Sequence, residues 1–190
     1  MQKTRSGFTI VELLIVIVII AILAAISIVA YNGIQSRARN NQQLTTARTY
    51  INGLASYVAI NNKYPNRSKA RICLNLEQNE CVTNTSWERD TVFETDLKTI
   101  LTNLPQASTS IVLTGSPKMA YIPVTGNSDD LTLDGVATPF IMYSLEGSGI
   151  CSVGSLVSGT WPNFSSTAPS YGFTGTSSGL RVCVVSLPRV

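Results

Sequence analysis

The chain has 190 residues, no histidine, and 14 basic against 11 acidic side chains. The commonest general base is therefore missing, and a charged fraction of only 13% leaves no strong basic field for nucleic acid. Abundant Ser, Thr, Asn and Gly fit an exported surface better than a cytosolic enzyme.

Residues 6–30 read SGFTIVELLIVIVIIAILAAISIVA. This apolar run carries one charge, Glu12. A bilayer core takes about 20 apolar residues as helix, so the run is long enough to span one. A carboxylate inside such a segment is costly and usually marks a function. Before the run stands the short basic leader MQKTRSG, ending in Gly7. An ordinary secretory signal has a shorter apolar core followed by a small-residue cleavage site. Ala24-Ala25-Ile26-Ser27 imitates such a site, but the core before it is too long. A plain signal-anchor leaves Glu12 and the Gly7-Phe8 junction unexplained.

Basic leader, Gly7, Phe8, Glu12 and a long apolar helix continuing into AYNGIQSRAR together resemble the type IV prepilin family. The resemblance covers about residues 1–50. It implies that a dedicated peptidase cuts after Gly7 and that the new N-terminal Phe8 is N-methylated. It also implies that Glu12 neutralises the amine of a neighbouring subunit during filament growth. Many members have a proline where this chain has Val29. The nearest remaining weak point is Gly33, beside Asn32. Loss of the leader would remove Lys3 and Arg5, leaving 12 basic and 11 acidic side chains, nearly neutral.

The apolar run does not end the helix. Neither proline nor a polar turn cluster follows until Asn61-Asn62-Lys63-Tyr64-Pro65. Leu44, Ala47, Ile51, Leu54 and Val58 form one apolar stripe at helical spacing, with Tyr50 and Tyr57 beside it. Gly53 lies where close packing would justify it. The expected organisation is a leader over 1–7, a membrane or filament-core helix over 8–30, its amphipathic half over 31–62, and an extracellular head over 63–190. The fold class expected is α+β and pilin-like: a long N-terminal helix packed on a head with an antiparallel sheet and one further helix.

The four cysteines, Cys73, Cys81, Cys151 and Cys183, all lie beyond the apolar run. In an exported domain an even count reads as disulfides, and four cysteines allow three pairings. The pairing favoured is Cys73–Cys81, closing a small loop, with Cys151–Cys183 joining two strand-like segments. Zinc is the rival, but no pair has CxxC spacing and histidine is absent. Basic residues flank the apolar run on both sides, so charge alone does not orient it. The cysteines place the head outside and the leader in the cytoplasm.

A second helix is expected over residues 89–103. Thr91 and Glu94 have capping-box spacing, Phe93, Leu97, Ile100, Leu101 and Leu104 make its stripe, and Pro105 ends it; Thr85 and Glu88 offer an earlier start. Strands are expected at 111–114, 119–124, 140–145 and 180–187, each rich in β-branched or aromatic residues between turn formers. Residues 147–179, loaded with Gly, Ser and Thr around Trp161, Phe164, Tyr171 and Phe173, read as long loops with aromatic anchors.

No GxSxG elbow or phosphate-binding loop is present, and neither catalysis nor a cofactor is expected. Asp129, Asp130 and Asp134 in GNSDDLTLDG offer hard oxygen ligands for calcium, but their spacing is not that of an EF-hand, and a solvated turn is the reading taken. Arg37, Arg39 and Arg48 suit lipid head groups or acidic filament partners better than nucleic acid, because no aromatics are interleaved with them.

The family resemblance implies a homo-oligomeric helical filament and, before assembly, a single-pass membrane subunit. It also implies the prepilin peptidase and pilus machinery as partners, with surface roles such as adhesion, motility or DNA uptake. Two alternatives stand beside it: a type II secretion pseudopilin or minor pilin, and a membrane-anchored binding domain that never polymerises.

Overall fold

The computed structural model describes residues 9–74, 87–107, 119–126, 130–147, 149–156, 158–160, 163–165 and 180–190. The first element is α1 (Ile10–Asn61), 52 residues without a break. The chain forms two compact units, Met1–Arg37 and Ala38–Val190. In the first unit the large apolar side chains from Ile10 to Ile28 are between 48% and 81% exposed. That stretch is apolar on all sides, as a helix that leaves water altogether must be.

The second unit is α+β. Along its part of α1 the buried side chains are Gln43, Thr46, Ala47, Tyr50, Leu54 and Tyr57. Leu44, Ile51 and Val58 are only half-buried. The two tyrosines, expected beside the stripe, therefore stand near its centre. Their rings fill the core while their hydroxyls find acceptors: Tyr50 donates to the Pro105 carbonyl at 3.1 Å and Tyr57 to Asp96 Oδ2 at 3.2 Å. A tyrosine with such a partner buries as readily as an aliphatic residue. Gly53 faces Leu101, and an added Cβ there would stand 2.6 Å from Leu101 Cδ1. Glycine thus permits the helix to approach the segment that follows α2.

Short α2 (Thr91–Leu97) differs from expectation at both ends. Its N-cap is Asp90, whose carboxylate accepts from the backbone N–H of Val92 and Phe93, so Thr91 and Glu94 do not form a capping box. Glu94 is instead gripped through both carboxylate oxygens by Arg89. After Leu97 the chain tightens: Thr99 N bonds the Asp96 carbonyl and Ile100 N the Leu97 carbonyl, the i→i+3 pattern of a closing turn.

A five-stranded antiparallel sheet is ordered β1 (Ile72–Cys73), β2 (Met119–Ile122), β5 (Phe140–Glu146), β9 (Leu180–Ser186), β6 (Ser155–Leu156). Its central pair, β5 and β9, runs in register from Phe140↔Ser186 to Glu146↔Leu180. Both faces are covered, which explains strands buried almost throughout. On one face Met119, Tyr121, Ile141, Tyr143, Leu145, Cys183 and Val185 join α1 and α2 in the main core. On the other Ala120, Ile122, Phe140, Met142 and Val184 pack with Trp87 and Leu131.

A second sheet is ordered β4 (Val136–Ala137), β3 (Thr132–Leu133), β8 (Asn163–Ser165), β7 (Ser158–Thr160). Strands β6, β7 and β8 therefore stand within the span expected to be loops. They are two or three residues long and built largely of Ser, Thr, Gly and Asn, so no apolar alternation announces them. The expected strand at 111–114 lies outside the described residues.

Candidate assembly site

The chemistry that the sequence singles out sits at the first turn of α1. Thr9 is its N-cap and Glu12 the third helical residue. Glu12 Oε2 accepts from Thr9 N at 2.9 Å and from Thr9 Oγ1 at 2.8 Å, and Glu12 N donates to Thr9 Oγ1 at 3.2 Å. This is a capping box, with each residue satisfying an orphan backbone donor of the other. In a medium without water an unpaired N–H is costly, and a carboxylate suits the positive end of the helix dipole. The sequence reading named Glu12 and missed Thr9, although the Thr-x-x-Glu spacing is plain in FTIVE. Gly7 and Phe8 lie outside the described residues. Farther along, the one hydroxyl between Leu13 and Ile28, Ser27, is absorbed by the Leu23 carbonyl at 2.7 Å.

In the head, three aspartates hold loops by accepting backbone N–H groups. Asp90 takes Ser68 and Lys69 as well as its own helix start. Burial pushes its carboxyl up, but the four backbone donors outweigh this and leave it below the ordinary carboxylate value. Asp96 Oδ2 takes both the N and the Nδ2 of Asn66 at 2.8 Å.

Asp130 accepts from Thr125 N, Thr125 Oγ1 and Gly126 N, using both oxygens. Burial again raises its carboxyl and these bonds lower it further than burial lifts it. Asp134 occupies a tight turn with Gly135, at φ 52° and 78°, joining β3 to β4. Asp-Gly at both positive-φ positions is the signature of a two-residue hairpin. Asp130 and Asp134 thus have structural employment, and Asp129 lies outside the described residues. Among the described residues no group of three or more His, Cys, Asp or Glu side chains could hold a metal.

Cys151 and Cys183 are bonded to each other, with Cα atoms 5.7 Å apart. Cys73 is disulfide-bonded as well; Cys81 lies outside the described residues. Of the three arginines read as facing lipid or a filament partner, Arg39 is used inside the head. Its Nε and Nη2 donate to the two carboxylate oxygens of Glu146, each at 2.7 Å. Sequence gave no sign of this pair, whose members are 107 residues apart. Arg37 and Arg48 are exposed.

Comparison with known proteins bears on the same end of the chain. A family described as the prokaryotic N-terminal methylation motif matches residues 2–28. A type IV major pilin protein of Neisseria gonorrhoeae is 34% identical over 65 residues, 34% of this chain and 39% of that protein. The type IV wide pilus major component of Thermus thermophilus is 40% identical over 80 residues, 40% of this chain and 58% of that protein. A fimbrial protein of Neisseria meningitidis is 31% identical over 78 residues, 40% of this chain and 46% of that protein. The chain spans about two fifths to three fifths of the length of these relatives. No solved structure gives a significant match. Through its N-terminal methylation motif and these partial relatives, the chain matches the type IV pilins at the level of family.

Proposed function

We propose that this protein is a structural subunit of a type IV pilus. One stretch of α1 is long and apolar enough to cross a membrane. The observation that carries the reading is a single carboxylate, Glu12, fixed at the first turn of that stretch, inside a methylation motif over residues 2–28. In this reading the leader lies in the cytoplasm and a peptidase cuts between Gly7 and Phe8. The apolar helix then leaves lipid for an equally apolar filament core. Such a transfer changes little apolar burial, so packing and polar pairing must drive association. Glu12 would supply the pairing by receiving the Phe8 amine of a neighbour. The head, with its α1-packed sheet, would stand on the outside of the filament as a binding or wear surface.

The test is to shear surface filaments from cells, image them and identify their main protein by intact mass. A pilus subunit is the dominant species, begins at Phe8 and carries one methyl group. A chain that begins at Met1 or near Ser27 overturns the reading. A processed chain found only in trace amounts, without long filaments of its own, points to a pseudopilin or minor pilin.

A further inference from the structure

Among the described side chains of α1 the first deeply buried one is Gln43, followed by Thr46 and Ala47. One turn before it, Arg39 and Asn40 both grip Glu146, the last residue of β5. Arg39 takes the carboxylate through two bonds of 2.7 Å. Asn40 takes the backbone: its Oδ1 accepts from Glu146 N at 2.7 Å and its Nδ2 donates to the Glu146 carbonyl at 3.0 Å. Two consecutive helix residues therefore read every polar group of one strand-end residue. The Arg39 and Glu146 side chains are 29% and 19% exposed, so water screens them less than an open surface pair. Gly149 makes room for the grip. A Cβ there would stand 2.9 Å from Asn40 Nδ2 and 2.8 Å from Leu145 Cβ.

The segment just before the grip is built to open. Tyr31, Asn32, Gly33 and Ile34 are exposed, and among the described residues no atom beyond the neighbouring helix backbone lies within 4 Å of where a Gly33 Cβ would be. Asn and Gly are poor helix formers, and an exposed helical stretch opens at little cost; Gln35 and Ser36, which follow it, are half-buried. The compact unit containing the head begins at Ala38, immediately ahead of the grip.

We propose that Arg39, Asn40 and Glu146 form a fraying stop, which halts opening of α1 one turn before its buried face begins. The grip adds four hydrogen bonds, two of them charge-assisted, to a helical turn that the apolar core does not reach. Opening can then pass through residues 31–37 without entering the core at Gln43. The property belongs to the single subunit and goes beyond its proposed polymerisation.

Hydrogen exchange read by mass spectrometry, on the full chain in detergent micelles, tests it. In the unaltered chain, protection rises sharply at residues 38–43. Asn40→Ala combined with Glu146→Gln speeds exchange of those amides roughly ten-fold, while β5 and β9 keep their rates. Gly149→Ala, whose added Cβ crowds both the Asn40 amide and Leu145 Cβ while leaving the grip residues unchanged in identity, gives the same loss at 38–43. Exchanging the charges, Arg39→Glu with Glu146→Arg, restores protection. Unchanged exchange at 38–43 in both the double variant and Gly149→Ala overturns the proposal, as does acceleration spread evenly through β5 and β9. A failure to form filaments has no bearing on this result, because the measurement is made on separate subunits.

Discussion

Thr9 and Glu12 hold each other at the start of α1. The Glu12 carboxylate accepts both the backbone N–H and the hydroxyl of Thr9, and the Thr9 hydroxyl oxygen accepts the Glu12 N–H. The carboxylate is therefore fixed in direction before any partner reaches it. Glu12→Gln is expected to leave membrane insertion and head folding intact while abolishing filaments, because an amide keeps the shape but loses the charge. Fractionation confirms the membrane-bound protein and electron microscopy counts the filaments. Normal filament numbers would show that helix packing alone drives assembly.

Thr9→Val separates orientation from charge. It removes the cap, which is worth about 1 kcal/mol, and leaves Glu12 in place. Filament number should fall but not vanish, and Thr9→Ser, which keeps the hydroxyl, should restore it. The same counting assay decides. An equal loss in Thr9→Ser would mean that the methyl group, not the hydroxyl, matters.

The head should tolerate mild acid and fail in strong acid. Asp90 and Asp130 are both held below the ordinary value of 3.8 in the folded state. A carboxyl lowered by folding contributes its full stability above the unfolded value and loses it as the pH falls through the folded one. Chemical unfolding followed by fluorescence should therefore show little pH dependence from these groups at neutral pH and a decline below about 4. Asp90→Asn should cost about 1–3 kcal/mol at pH 7, since one amide oxygen cannot replace two carboxylate oxygens serving four N–H groups. It should also flatten the acid decline. An equally steep decline in this variant would assign the acid sensitivity elsewhere.

Breaking the bond between Cys151 and Cys183 should cost about 3–4 kcal/mol, because the pair closes a loop of sequence separation 32. Both cysteines pack in the main core, so paired replacement by alanine isolates the loss of the cross-link better than serine does. The midpoint of urea unfolding should drop accordingly. A shift below about 1 kcal/mol would show that the sheet register alone fixes this loop.

Ser144 is buried on β5, and among the described residues its hydroxyl has no hydrogen-bond partner. Ser144→Ala should therefore raise stability by roughly 1 kcal/mol, as removal of an unsatisfied buried group does. Differential scanning calorimetry of the purified chain checks it. A lower melting temperature would mean that the hydroxyl has a partner in solution.

What could be read from the chain alone was local. The apolar run of α1, the lone Glu12, and the strand signals at β2, β5 and β9 each lie within a few neighbouring residues, where periodicity and turn chemistry act directly. Two local signals were equally present: the Thr9-x-x-Glu12 box, which went unread, and the Asp134-Gly135 hairpin, which was read only as a solvated turn. Thr91-x-x-Glu94 has the same spacing as the first and does not form a box. There Asp90, one residue earlier, accepts the helix donors together with Ser68 and Lys69 from a separate loop, and Arg89 takes Glu94. Nothing local distinguishes the two cases; the outcome depends on which distant donors the fold brings within reach. The same holds for Tyr50 and Tyr57, which belong at the centre of the buried face only because Pro105 and Asp96 accept their hydroxyls. Arg39 is the sharpest instance. As a sequence feature it is one of several cations near an apolar run, and only the register of β5 places Glu146 opposite it. Hydrophobic periodicity determined which elements exist, because burial acts on every residue of a face. The partner of each polar group was decided by tertiary structure, because a hydrogen bond depends on positions fixed by residues far away in the chain.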